Sequence, residues 1–211
     1  MATIQLPERC YAMDIAFPLM VVGTAELGGE RNITIYDLNN PTEKLKVMKS
    51  PLNFQTRVIT CFPKGTGFCI GSVEGRVALH YIDEKSFSNN YSFRCHRKSD
   101  KAAASSPRNQ TVVYAINDVN FHPVHGGTFS TCGSDGTINY WDGEARIRLK
   151  ILDASASGSI SSTCFNRTGT IQAYAVSYDW HKGHTGNTPG LANKIMLHMC
   201  KEEEVKRQNK T

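Results

Sequence analysis

GSDGTINYWD, residues Gly133 to Asp142, sets a tight corner directly against a strand. Glycine supplies the positive φ that other residues resist, and an Asp in such a corner hydrogen-bonds its own backbone. Thr137 to Trp141 is rich in β-branched and aromatic side chains, so it reads as a strand. The pattern recurs. Asn32 to Asp37 (NITIYD) aligns with Thr137 to Asp142, and Arg76 to Tyr81 (RVALHY) follows a GSVEG corner at Gly71 to Gly75. Tyr36 and His80 are 44 residues apart, whereas His80 and Trp141 are 61 apart. The excess falls in the polar, Ala/Ser-rich segment Lys98 to Val112, which is expected to be a surface loop.

Upstream of each corner lies a further matching pair of strands. Tyr11 to Pro18, Arg57 to Pro63 and Asn117 to Pro123 all close on a Phe followed at once or one residue later by Pro. A fourth copy starts at Ile160, runs through Thr170 to Ser177 and closes at Lys194 to His198. Its corner is expanded into YDWHKGH, Tyr178 to His184, and a Gly/Pro loop. A period near 44 residues with four short strands per unit predicts an all-β propeller, since one blade buries neither face alone and neighbours must stack around an axis. A β-sandwich with regular turns is the competing architecture, but it gives no reason for the same residue types at matched offsets. The expected blades are 5–50, 51–95, 96–150 and 151–200, within one partial propeller over 1–200. A mixed-charge tail, 201–211, is expected to lack fixed structure.

The totals narrow the function. With 40% hydrophobic and 20% charged residues the chain is an ordinary globular one, and no apolar run approaches the roughly 18 residues that span a bilayer. The first residues lack the basic head and apolar core of a secretory signal. Seven cysteines include no C-x-x-C pair, which favours a reduced intracellular protein over a disulfide or zinc framework. A net charge of +5 permits an acidic partner or nucleic acid without demanding either. There is no phosphate loop and no G-x-S-x-G elbow. The Gly-rich Gly23 to Arg31 reads as a blade turn with an insertion. Asp179, His181 and His184 offer donors that a metal would accept, but a solvated loop packing through Tyr178 and Trp180 is the expected role. No catalysis, cofactor, metal, membrane contact or small-molecule substrate is expected.

Binding and structural candidates remain. His96, Thr131 or Ser130, Asp135 and Trp141 are spaced to form a buried hydrogen-bonded chain within one blade, a structural assignment. Tyr91 and Phe93 alternate on one strand face, and Arg146 and Arg148 alternate beyond Trp141 and Asp142. Basic groups beside aromatic rings suit single-stranded nucleic acid, although strand aromatics ordinarily fill the space between blades.

Longer strings carry a family resemblance. QLPERCYAMDI (Gln5 to Ile15), VVGTAE (Val21 to Glu26), GSVEGRVALHYI (Gly71 to Ile82), FRCHR (Phe93 to Arg97), FHPVHGG (Phe121 to Gly127) and SYDWHKGH (Ser177 to His184) are similar to the nuclear-pore mRNA export factor family of WD-repeat proteins. The related mitotic checkpoint WD-repeat protein shares the Glu-Gly-Arg-Val and Cys-His-Arg strings but is not expected to carry Tyr-Asp-Trp-X-Lys-Gly-His. The resemblance implies a seven-bladed ring, of which this chain holds about four blades matching the family's C-terminal part, an incomplete ring. It implies a truncated gene model, a fragment or an isoform, since the strand that closes the ring is absent. It also implies that a Glu-rich nucleoporin peptide docks across the top, with Arg76 taking an acidic side chain through a bidentate fork and Arg94 as a second candidate. The lateral face is implied for RNA, and the nucleus, nuclear envelope and pore, with a cytoplasmic share, for location. The alternatives are a spindle-checkpoint scaffold at kinetochores, or a truncated fragment that neither folds nor functions alone.

Overall fold

Each repeat forms one antiparallel sheet in the computed structural model, which describes residues 3–99, 111–154 and 158–206. Blade 1 holds β1 (Cys10–Ala16), β2 (Leu19–Thr24), β3 (Asn32–Asp37) and β4 (Lys44–Lys49). Blade 2 holds β5 (Thr56–Cys61), β6 (Gly67–Ser72), β7 (Arg76–Tyr81) and β8 (Tyr91–Arg94). A small hairpin, β9 (Arg97–Ser99) with β10 (Thr111–Val113), flanks the expected polar loop, whose residues 100–110 lie outside the described residues. Blade 3 holds β11 (Ile116–Phe121), β12 (Thr128–Gly133), β13 (Ile138–Asp142) and β14 (Ile147–Leu152). Blade 4 holds β15 (Ile160–Phe165), β16 (Ile171–Val176) and β17 (Lys194–Met199).

The innermost strands β1, β5, β11 and β15 lie side by side, so the sheets radiate from a common centre. Polar side chains lace this inner rim. Asp14 accepts from the Cys61 amide at 2.7 Å, and Asp118 accepts from the Thr163 amide at 2.8 Å, each joining one blade to the next. Thr60 donates to the Val119 carbonyl at 2.6 Å across the remaining seam. A register shift recurs near the start of β1, β5, β11 and β15, the kind of bulge that sharpens strand twist.

Position in the wedge decides strand chemistry. The second strands β2, β6 and β12 are buried along their whole length, β6 and β12 between flanking blades and β2 between blade 2 and the segment carrying Ile4 and Leu6, so LMVVGT and GFCIGS run apolar without alternation. The outer strand β4 (KLKVMK) alternates instead. Leu19, Val21, Ile33 and Ile35 of blade 1 meet Ile59, Phe68 and Ile70 of blade 2. Cys69, Val77 and Leu79 meet Val119, Phe129 and Trp141 at the second seam, and Cys132, Ile138 and Tyr140 meet Ile160, Tyr174 and Val176 at the third. Each such side chain contributes about 1.5–3 kcal/mol on burial, so the seams are what hold the wedges together.

Among the described residues blade 4 has three strands, matching the three segments that mark the fourth copy, and the chain beyond β17 turns back toward blade 3. One expectation changes. The tail starts with a helix, α1 (Glu202–Val205), in place of the expected structureless run. Val205 is the reason: it is 2% exposed, and its carbonyl accepts from Thr128 Oγ1 at 2.8 Å. Glu204 completes the dock, accepting from the Lys201 amide at 3.1 Å and lying 2.9 Å from His198 Nε2. Residues 207–211 lie outside the described residues. No helix among the described residues is long and apolar enough to cross a membrane, and all seven cysteines are free.

Candidate interaction surface on the corner face

Because the strands run up and down, the corners between second and third strands all fall on one face of the arc. In blade 2 that corner is closed by Gly75, with φ +64°. A Cβ there would sit 2.6 Å from the Cys95 carbonyl oxygen and 2.9 Å from that of Tyr114, so only glycine fits. The turn places Arg76 first in β7, directly opposite Arg94, the last residue of β8. Like charges on opposed strand positions repel. The repulsion is only partly offset: Glu74 Oε2 is 3.7 Å from Arg76 Nε, and Glu74 Oε1 is buried with no hydrogen-bond partner. Arg97 braces the corner by donating to the Glu74 carbonyl at 2.9 Å, while Arg94 is exposed. The result is a pair of guanidiniums on the corner face, of which Arg76 alone, among the described residues, has a carboxylate within 4 Å.

In blade 3 the same corner turns inward. His96 Nδ1 is 2.9 Å from Asp135 Oδ1, and its Nε2 is 2.8 Å from Thr131 Oγ1. Trp141 Nε1 donates to the same Thr131 oxygen at 3.0 Å. Since indole is donor-only, the Thr131 hydroxyl hydrogen is free for His96 Nε2, which places the ring proton on Nδ1, facing Asp135. Burial alone would raise the Asp135 carboxyl, but hydrogen bonds from His96 and Thr137 outweigh it and hold the group below its ordinary range. Ser130 stands apart from this chain and accepts from Gln172 Nε2 at 2.8 Å, toward blade 4.

Tyr91 and Phe93 fill the seam between blades 2 and 3. Phe93 lies 4.6 Å from the Trp141 ring, and the Tyr91 hydroxyl donates to the Gly143 carbonyl at 2.8 Å. Arg146 sits 4.6 Å over the Tyr91 ring and Arg148 sits 5.9 Å from that of Trp141. The rings are therefore spent on packing, and this flank offers solvent the two guanidiniums.

Asp179 is a corner-face residue whose structural weight sequence reasoning missed. It occupies the corner of blade 4 as Asp135 occupies that of blade 3, which is the signal that could have found it. Its fully buried carboxylate accepts from Ser134 Oγ, from Asn117 Nδ2 at 3.1 Å and from His181 Nδ1 at 2.6 Å. Arg57 Nη2 donates to its carbonyl at 2.8 Å, so one residue ties blades 2, 3 and 4. Burial would raise this carboxyl, yet the bonds from Ser134, His181 and Asn117 lower it to about 2. Trp180, expected to pack the loop, instead projects 59% exposed with φ +61°. Among the described residues no group of three or more His, Cys, Asp or Glu side chains converges as a metal site would. A cleft of about 810 Å³ opens on this face between blades 3 and 4, lined in part by Lys98, Tyr114, Asp135, His181 and Lys182.

Radiating sheets, glycine corners and a His-Thr-Trp-Asp chain define a WD-repeat β-propeller arc. No family model matches the chain. It is 52% identical over 205 residues to the Poly(A)+ RNA export protein of Schizosaccharomyces pombe, covering 97% of this chain and 54% of that protein. It is 48% identical to mRNA export factor GLE2 of Chaetomium thermophilum (97% and 54% covered) and 46% identical to WD40 repeat protein poxJ of Penicillium oxalicum (99% and 57%). Among solved structures it resembles the Dos1 propeller, with a TM-score of 0.59 at 14% identity over 78% of this chain and 38% of that one, a likeness of fold. The chain belongs to the family of WD-repeat mRNA export factors and spans about half the length of the curated relatives it matches.

Proposed function

We propose that this chain is a non-catalytic platform in mRNA export that holds a Glu-rich nucleoporin segment across its corner face at the nuclear pore. Arg76 takes an acidic side chain of that segment, and Arg94 a second. The reading rests on one observation: two opposed arginines whose charge a single Glu74 at 3.7 Å leaves incompletely matched. The family supports the pathway, since relatives at 48–52% identity are named for RNA export. Arg146 and Arg148 serve single-stranded RNA through its phosphates, with Tyr91 and Phe93 holding them in place rather than stacking on bases. The protein acts in the nucleus and at the nuclear envelope, with a share in the cytoplasm. Calorimetric titration of the chain with a synthetic Glu-rich peptide tests the site. Arg76→Glu is expected to weaken binding at least about tenfold, the scale of one charge-assisted contact. Equal affinity for wild type and variant would overturn the assignment.

A further inference from the structure

The turns at the other end of the strands, β1 to β2, β5 to β6 and their counterparts, fall on the face opposite the corners. Cavities open there at successive seams. The seam between blades 1 and 2 holds one of about 320 Å³, walled by Pro18, Leu19, Leu45 and Ile82. The seam between blades 2 and 3 holds one of about 580 Å³, walled by Phe62, Tyr81, Phe121 and Val124. Thr66, in the turn from β5 to β6, lines both, so the two adjoin across a single blade. Leu45 and Val124 stand 57% and 63% exposed within them. Concave apolar surface with a few charged groups is the usual make-up of a recognition site.

The charged lining sets the two cavities apart. In the first it consists of Asp37 and Asp83. Asp37 Oδ1 accepts from the amide and the side chain of Asn39, both at 2.9 Å, and Asp83 Oδ1 accepts from the Lys85 amide at 3.0 Å. Each carboxylate is thus held through one oxygen, and among the described residues neither has a cationic side chain within 4 Å. Lys46, next to Leu45, is engaged elsewhere, 4.8 Å over the Phe87 ring. In the second cavity the charged lining is Lys64 and Glu144, one of each sign, beside rings in edge contact: Phe62 lies 5.0 Å from Tyr81 and 5.4 Å from Phe121. The first cavity therefore selects a cation on an apolar stem, and the second a bulky neutral group. Arginine meets the first demand, its methylenes lying on Leu19, Leu45 and Ile82 while its planar head donates to both carboxylates.

We propose that this face binds one extended segment of a partner protein, with an arginine in the cavity between blades 1 and 2 and a nearby bulky apolar side chain in the cavity between blades 2 and 3. Its charge is opposite to that of the acidic segment assigned to the corner face, and the two segments occupy opposite faces, so the chain can hold both at once.

Fluorescence anisotropy of the purified chain tests this with labelled nonapeptides that carry one Arg and one Phe at varied spacing among Ser and Gly. At least one spacing is expected to bind at micromolar concentration, and replacing its Arg or its Phe by Ser weakens binding about tenfold or more. Asp37→Asn with Asp83→Asn keeps the acceptors of both turns and removes their charge. It should weaken the Arg-Phe peptide about tenfold and leave the peptide without Arg unaffected. Gly126→Phe, at a lining position where an added Cβ meets nothing within 4 Å, blocks the second cavity and should have a similar effect. Both variants should match wild type in far-ultraviolet circular dichroism, and Arg76→Glu should leave binding unchanged. No binding at any spacing, equal binding of a Glu-for-Arg peptide, or unchanged binding by both variants would each overturn the proposal. So would a dimer in sedimentation velocity that Gly126→Phe dissolves, since the face would then serve a second copy.

Discussion

The corners of blades 2 and 3 share a backbone turn and differ in where their polar groups point. In blade 3, Asp135 Oδ1 accepts from the Thr137 amide and hydroxyl and lies 2.9 Å from His96 Nδ1, so the corner's carboxylate is held from within. In blade 2 Arg76 faces Arg94 across the strands, and the Glu74 carboxylate oxygen nearest Arg76 stands 3.7 Å away, beyond hydrogen-bond distance. A fully matched corner rigidifies its blade; an incompletely matched one keeps interaction energy in reserve for something that arrives from solution.

The contrast breaks most visibly under Asp135→Ala. Removing that acceptor leaves His96 buried with an orphaned N–H, and a loss of about 3 kcal/mol is expected in denaturant unfolding. If stability stayed within about 0.5 kcal/mol, the idea of a structural corner would fail. Arg76→Ala should do the opposite: unfolding within about 0.5 kcal/mol of wild type, yet peptide affinity down by about 1.5–3 kcal/mol in titration calorimetry.

The corner of blade 4 sharpens the comparison through pH. Asp179 is lowered to about 2 in the folded chain, so its stabilising contribution is full above the ordinary carboxylate range. That contribution fades as pH falls from about 4 toward 2, and it amounts to about 2 kcal/mol. Asp179→Asn should flatten the stability profile across that window, measured by urea unfolding at a series of pH values. The smallest effect belongs to the flank. Arg146→Ala should cost about 0.5–1 kcal/mol as the cation over Tyr91 is lost, and should lower the salt slope of RNA binding by about 1, read from filter binding at several salt concentrations.

Blade count and corners were legible because glycine turns and the Phe-Pro strand ends are local signals that recur at fixed offsets. The His96 to Trp141 chain could be anticipated for the same reason. Asp179 could not be weighed from its neighbourhood alone, since Asn117 and Arg57 reach it from 62 and 122 residues away. The tail misled because three consecutive glutamates outweigh one valine in composition, while in space that valine fills a socket. Tyr91 and Phe93 show the limit of alternation: it places two rings on one face but does not say whether water or another blade covers it.

Gly75 has a kinetic consequence. With two carbonyl oxygens filling the space where a side chain would stand, the turn beneath Arg76 is tightly enclosed, which holds the start of β7, and with it the guanidinium proposed to dock the peptide, in place. Encounter then requires ordering of the incoming segment alone, and sequence variants of that segment should differ mainly in residence time, while their association rates stay nearly alike.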